Sequence, residues 1–158
     1  MKTLDIENKI FTFKYNDNAK CWMTTENINE TKVDFEIYEE EYNQEVIDWT
    51  YFKEFLIFIT KKDVLPALIA KSQKVLLALS DAFGSSISEH QKIEDYEMIF
   101  CGLQFKGKTD NLFITGYSYS LWFNIASKIN PLEYVDPYGA FITDIEYRFI
   151  TGAKRRQV

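Results

Sequence analysis

Glycine and proline are scarce in this chain, 6 and 3 among 158 residues, which leaves no room for a flexible linker or a low-complexity tract. Histidine occurs once, at His90, so any histidine-dependent chemistry must pass through it. No second His or Cys stands at metal-ligand spacing beside it, and its surroundings are polar, so a solvent-exposed loop histidine is the expected reading. The two cysteines, Cys21 and Cys101, are far apart and are expected as unpaired thiols in a reducing compartment. Cys101 has Ile99 and Leu103 as alternating neighbours, which fits a core thiol better than a nucleophile. Ser85-Ser86 after Gly84 lacks the G-x-S-x-G elbow that presents a catalytic serine. Neither G-x-G-x-x-G nor a Walker loop occurs, so no nucleotide cofactor is expected, and no other cofactor or metal is implied. No apolar run approaches the ~20 residues that span a bilayer. Met1 to Glu7 carries charge at every second or third position and no apolar segment, so a secretory leader is not expected and the chain reads as cytoplasmic, without a membrane partner.

What the chain has in quantity is aromatic side chains, 10 Tyr and 13 Phe, enough to build a large core and to argue against disorder. Its length is most simply one domain, residues 1–158, able to bury roughly 70% of the surface its unfolded form exposes. The net charge of −6 is unevenly spread. Between Glu26 and Glu54 ten acids face two lysines, while Arg148, Lys154, Arg155 and Arg156 near the end have no acid among them. An acidic body disfavours nucleic acid, whose phosphates need a basic surface, and suits a basic protein partner. The closing Lys154-Arg155-Arg156 reads as a frayed, solvated tail, or else as a segment that pairs with the acidic stretch.

Periodicity separates the chain into strands on either side of a helical centre. Ile10–Tyr15 and Lys20–Thr24 alternate around an Asn16-Asp17-Asn18 turn, and Asn27–Thr31 reads as loop. In Val33–Tyr38, Val33, Phe35 and Ile37 point one way and Asp34, Glu36 and Tyr38 the other, so the acidic face is expected to be wet. Val46 to Phe83 steps by three and four residues, with Asp63 as N-cap, Pro66 in a first turn and Gly84 at C′. It predicts an αα-hairpin broken near Lys61-Lys62, with a strand open as the alternative for Phe55–Thr60. Ile99, Cys101, Leu103 and Phe105 then share a face, as do Tyr117, Tyr119, Leu121 and Phe123, while Leu121–Lys128 also fits a helix. Asp136-Pro137-Tyr138-Gly139 is a turn, and Phe141–Ile150 a last strand. Strands, then helices, then strands predict an α+β fold: one antiparallel sheet of about six strands with the αα-hairpin packed on one face.

The candidate site is the acidic stretch with its interleaved aromatics. Glu39-Glu40-Glu41 lacks the Asp and Gly positions of a calcium loop and reads as a solvated charge run. Asp34, Glu36, Glu39, Glu40 and Glu41, with Tyr38, Tyr42 and Trp49 as anchors, form a candidate partner-binding surface: aromatics supply affinity, and a like-charged ring speeds encounter. The competing reading leaves those aromatics in the core.

The ending, from Asp136-Pro137-Tyr138-Gly139 through Ile150-Thr151-Gly152-Ala153-Lys154-Arg155-Arg156, resembles the last hairpin of small uncharacterised bacterial α+β proteins, among them immunity proteins of polymorphic toxin systems. The resemblance covers about the last quarter of the chain and carries over no catalytic residue. It implies a non-enzymatic protein that neutralises a basic toxin by occlusion. The alternative is a small enzyme or small-molecule-binding domain with its pocket between sheet and helices.

Overall fold

The structure, a computed structural model, describes residues 1–42, 46–83, 95–109, 113, 116–129 and 139–157. Within these residues eight strands form one mixed sheet in chain order: β1 (Lys2–Ile6), β2 (Lys9–Asn16), β3 (Cys21–Ile28), β4 (Thr31–Tyr38), β5 (Tyr96–Lys108), β6 (Tyr117–Ser127), β7 (Gly139–Glu146) and β8 (Phe149–Gln157). Among the described residues two helices, α1 (Trp49–Ile59) and α2 (Leu65–Phe83), lie between β4 and β5.

This corrects the expectation of about six antiparallel strands. One extra strand is β1, where Leu4 and Ile6 alternate with charged neighbours and pair against β2. The other arises because Phe141–Ile150 is not continuous: it folds back at Tyr147-Arg148, with Glu146 opposite Phe149. Tyr147 takes φ 58°, a left-handed turn made by a residue that does not advertise one. Lys154–Arg156 accordingly belongs to a paired strand rather than a frayed tail. Asn27–Thr31, expected as loop, is instead the close of the β3–β4 hairpin, its two central residues Asn29 and Glu30 both at positive φ. The sheet is not purely antiparallel either. A helical crossover joins β4 to β5, and strands so joined run parallel, with Asp34, Phe35 and Glu36 opposite Gly102, Leu103 and Gln104.

Phe55–Thr60 lies in α1 up to its C-cap, and Leu121–Ser127 is strand. Asp48 caps α1 by accepting the Tyr51 N–H at 3.0 Å. The helix buries Phe52, Phe55, Leu56, Phe58 and Ile59 against the sheet. Phe52 meets Phe13 of β2 edge-on, Phe55 stacks on Phe105 of β5 at 4.6 Å, and Phe58 stacks on Tyr117 and on Tyr147. α2 lies over β5, β7 and β8, burying Leu68 and Leu76, with Ile69 and Leu79 packed against the core's margin.

Val33, Phe35 and Ile37 face the helices and are buried, at 0 to 1% exposed. The face expected for β5 holds only in part. Its pairing with β6 slips between Phe100 and Gly102, so Met98 and Phe100 face the helices before Cys101, and Leu103 and Phe105 after it. Ile99 and Cys101 therefore do not share a face with Leu103. Cys101 is half-buried, unpaired, and its Sγ accepts from Asn124 Nδ2 at 3.1 Å. His90, Ser85-Ser86 and Asp136-Pro137-Tyr138 lie outside the described residues. No helix among the described residues is long and apolar enough to cross a membrane.

One polar contact ties α2 to the sheet from within. Ser72 Oγ and Thr143 Oγ1 lie 2.8 Å apart and both residues are fully buried. Ser72→Ala leaves the Thr143 hydroxyl without that partner and is expected to cost about 1–3 kcal/mol, while the double change Ser72→Ala with Thr143→Val recovers much of it. Urea denaturation of the three variants measures this; a double mutant less stable than Ser72→Ala would contradict it.

Candidate functional site

The face of the sheet turned away from the helices carries the chain's polar chemistry. Across it the register lines up two rows. One runs Glu36, Gln104, Ser120, Asp144 and Gly152; the other runs Asp34, Gly102, Trp122, Ile142 and Lys154. Over these rows lies an open pocket of about 300 Å³. Glu36, Tyr38 and Glu41 form its acidic end, Trp122, Ala140 and Ile142 its apolar middle, and Arg156 the far wall, with Gln104 and Ser120 between.

Gly102 makes that middle. The indole of Trp122 lies directly over it, and a β-carbon at 102 would sit 2.8 Å from the Asp34 carbonyl oxygen and closer still to the indole nitrogen. The slip at Cys101 is what brings Gly102 opposite Trp122. Trp122 Nε1 is buried and has no hydrogen-bond partner among the described residues. Gly102→Ala is expected to displace the indole and destabilise by about 1–3 kcal/mol, as overpacking does. The Trp122 indole N–H resonance reports it: an unmoved resonance with unchanged stability would rule out the close packing.

Two carboxylates on this face are held in opposite ways. Asp144 accepts from Ser120 Oγ at 2.7 Å and pairs with Lys106 Nζ at 3.4 Å and Lys154 Nζ at 3.3 Å. Burial works against its charge, but the Ser120 hydroxyl and the two ammoniums outweigh it and hold the carboxyl below its usual range. Glu36 is 9% exposed and ion-pairs with no lysine or arginine among the described residues. Burial pushes its carboxyl above the usual range; a hydrogen bond from the Tyr38 hydroxyl opposes this, and the Asp34 and Glu41 carboxylates add to it. Burial, and then the bond to Glu36, push the Tyr38 phenol well up, so Tyr38 stays a donor. Cys21, buried on the strand beside Tyr38, is likewise raised by burial.

The sequence-derived surface is thus divided between the two faces. Asp34, half-buried, accepts from Thr25 Oγ1 at 2.6 Å and stays on the open face. Glu36 and Tyr38 line the pocket, and Glu36 is buried where a wet position was expected: it sits between β3 and β5, opposite Met23 and Gln104, with the Tyr38 hydroxyl bonded to its carboxyl. Glu39, Glu40 and Glu41 are exposed; Glu39 accepts from Tyr15 Oη at 3.1 Å, and Glu41 accepts from Gln104 Nε2. Tyr42 and Trp49 do not join them. Tyr42 is 6% exposed in the core against Phe105, and Trp49 packs on Phe13, Trp22 and Phe52 on the helix side. Sequence reasoning missed Gln104, Trp122, Ile142 and Arg156. The signal within reach was the shared outward parity of their strands. The pocket also lies on the face away from the helices, not between helices and sheet.

Comparison with protein-family models, with curated proteins and with solved structures gives no match for this chain.

A buried carboxyl with a raised pKa binds its proton more readily in the folded than in the unfolded chain. The folded state is therefore favoured below the unfolded pKa of about 4.3, and that advantage is lost as pH rises through the folded value. Glu36→Gln is accordingly expected to raise stability at pH 7, with the gain shrinking as pH falls through the folded value and largely gone below about 4. Thermal melts at both pH values measure it, and a destabilised variant at pH 7 would contradict the burial of an unpaired charge.

Proposed function

We propose that this chain is a non-enzymatic binding protein that docks a basic protein on the acidic end of its open sheet face, the role an immunity protein plays when it neutralises a toxin by occlusion. One observation carries the reading: exposed Glu39, Glu40 and Glu41 adjoin a pocket whose inner wall bears the carboxylate of Glu36 and the ring of Tyr38. Like charge gathered at a concave site raises the encounter rate of an oppositely charged partner, and a partly buried aromatic beside it supplies contact area. The anchors in this proposal are Tyr38 and Trp122; Tyr42 and Trp49 play no part.

The size of the pocket favours a second reading, a small-molecule site, since about 300 Å³ is at the lower end of ordinary ligand pockets. Its location would be the open face.

Partners captured from the native host, followed by association kinetics as a function of salt, test the first reading. Reversing Glu39, Glu40 and Glu41 to Lys is expected to slow association about tenfold or more at low salt with the fold intact, and added salt should narrow the difference. Tyr38→Ala should speed dissociation instead. A captured protein indifferent to both changes would count against docking at this face.

A further inference from the structure

We infer that the open-face pocket receives an arginine side chain of the partner, its guanidinium against Glu36 and Glu41, its stem along Trp122 and Ile142, and its backbone carbonyl facing Arg156. This rests on the docking reading above and names the chemical group that enters.

The charges of the pocket wall carry the argument. Glu36 is a buried carboxylate with no lysine or arginine paired to it among the described residues, although two lysines pair with Asp144 on the same face. Removing an acid from water without a counter-ion is costly, and an incoming cation offsets that cost. Glu41 stands at the same end, fixed by Gln104. A guanidinium suits this end better than an ammonium. It is flat, it meets a carboxylate with two parallel N–H groups, and it stacks on aromatic faces such as Tyr38 and Trp122. The apolar stretch between the acids and Arg156 matches an aliphatic stem, which lies on apolar surface while its charged head is satisfied elsewhere. Arg156, exposed on β8, repels a second cation and donates to an acceptor. The pocket therefore asks for a ligand that is cationic at one end and hydrogen-bond accepting at the other, as an arginine within a peptide is.

The test uses the full chain, isotope-labelled, and N-acetylarginine N-methylamide as probe, following the indole N–H of Trp122 among the three tryptophans. The expected result is a saturable shift of that resonance with half-saturation in the millimolar range, as befits a ligand of few atoms. The citrulline analogue, of the same shape without charge, and Glu36→Gln with the arginine probe should each bind about tenfold or more weakly. Equal binding of the citrulline analogue, equal binding to Glu36→Gln, or a lysine analogue binding as tightly as arginine would overturn the assignment. So would a shift confined to Glu39 and Glu40 with Trp122 unmoved. The two readings fail separately. Saturable probe binding with no basic protein captured from the host supports the arginine site and removes the docking partner. A captured partner sensitive to reversal of Glu39–Glu41 but not to Glu36→Gln, with no probe response, overturns the arginine site alone.

Discussion

The packing of α1 and α2 on a single face of the sheet is the constraint from which the other features follow. Both helices sit in the crossover between β4 and β5, and the stack of Phe55 on Phe105 fixes α1 against the sheet's centre. The aromatic surplus is spent on that side, where Phe52, Phe55, Phe105, Tyr119 and Phe123 are all essentially inaccessible to water. Among the described residues no helix covers the other face, so every group there must find its partner along the sheet or in solvent.

Most groups on that face do find one. Asp144 has a hydroxyl and two lysines, Asp34 has Thr25, and Glu41 has Gln104. Glu36 has a phenol and, among the described residues, no cation. A pair of acids a few strands apart, one compensated and one not, separates a structural carboxylate from one that stands ready for an outside charge. Unpaired buried charge costs stability, and such costs are commonly retained where binding depends on them. The bulge at Cys101 belongs to the same arrangement. Without it, Gly102 would not meet Trp122, and the pocket would lose its apolar middle.

How much of this the sequence discloses depends on how local the signal is. The alternation of Val33, Phe35 and Ile37 is a property of six residues, and their burial follows from it. The helices between β4 and β5 are likewise visible in their spacing. The strand count fails at two reversals made without glycine or proline, Glu7-Asn8 between β1 and β2 and Tyr147-Arg148 between β7 and β8. The face of β5 fails because a single extra residue at Cys101 exchanges inside and outside, and the one local mark of a bulge is Gly102 beside it. Within the candidate site, the acids were legible as a group but not their environments. Glu36 looks like any acid on the wet side of a strand; Trp122 and Ile142, which line the same pocket, come from strands far along the chain. Tyr42 and Trp49, adjacent in sequence to the acids, turn to the opposite face once α1 packs.

Site-resolved carboxyl titration by NMR tests the account at its centre. With the side-chain carboxyl carbons of the glutamates followed against pH, Glu36 should titrate above the usual glutamate range. A Glu36 that titrates within that range or below it would mean that its carboxylate is hydrated or already paired, and the pocket would then be ordinary surface.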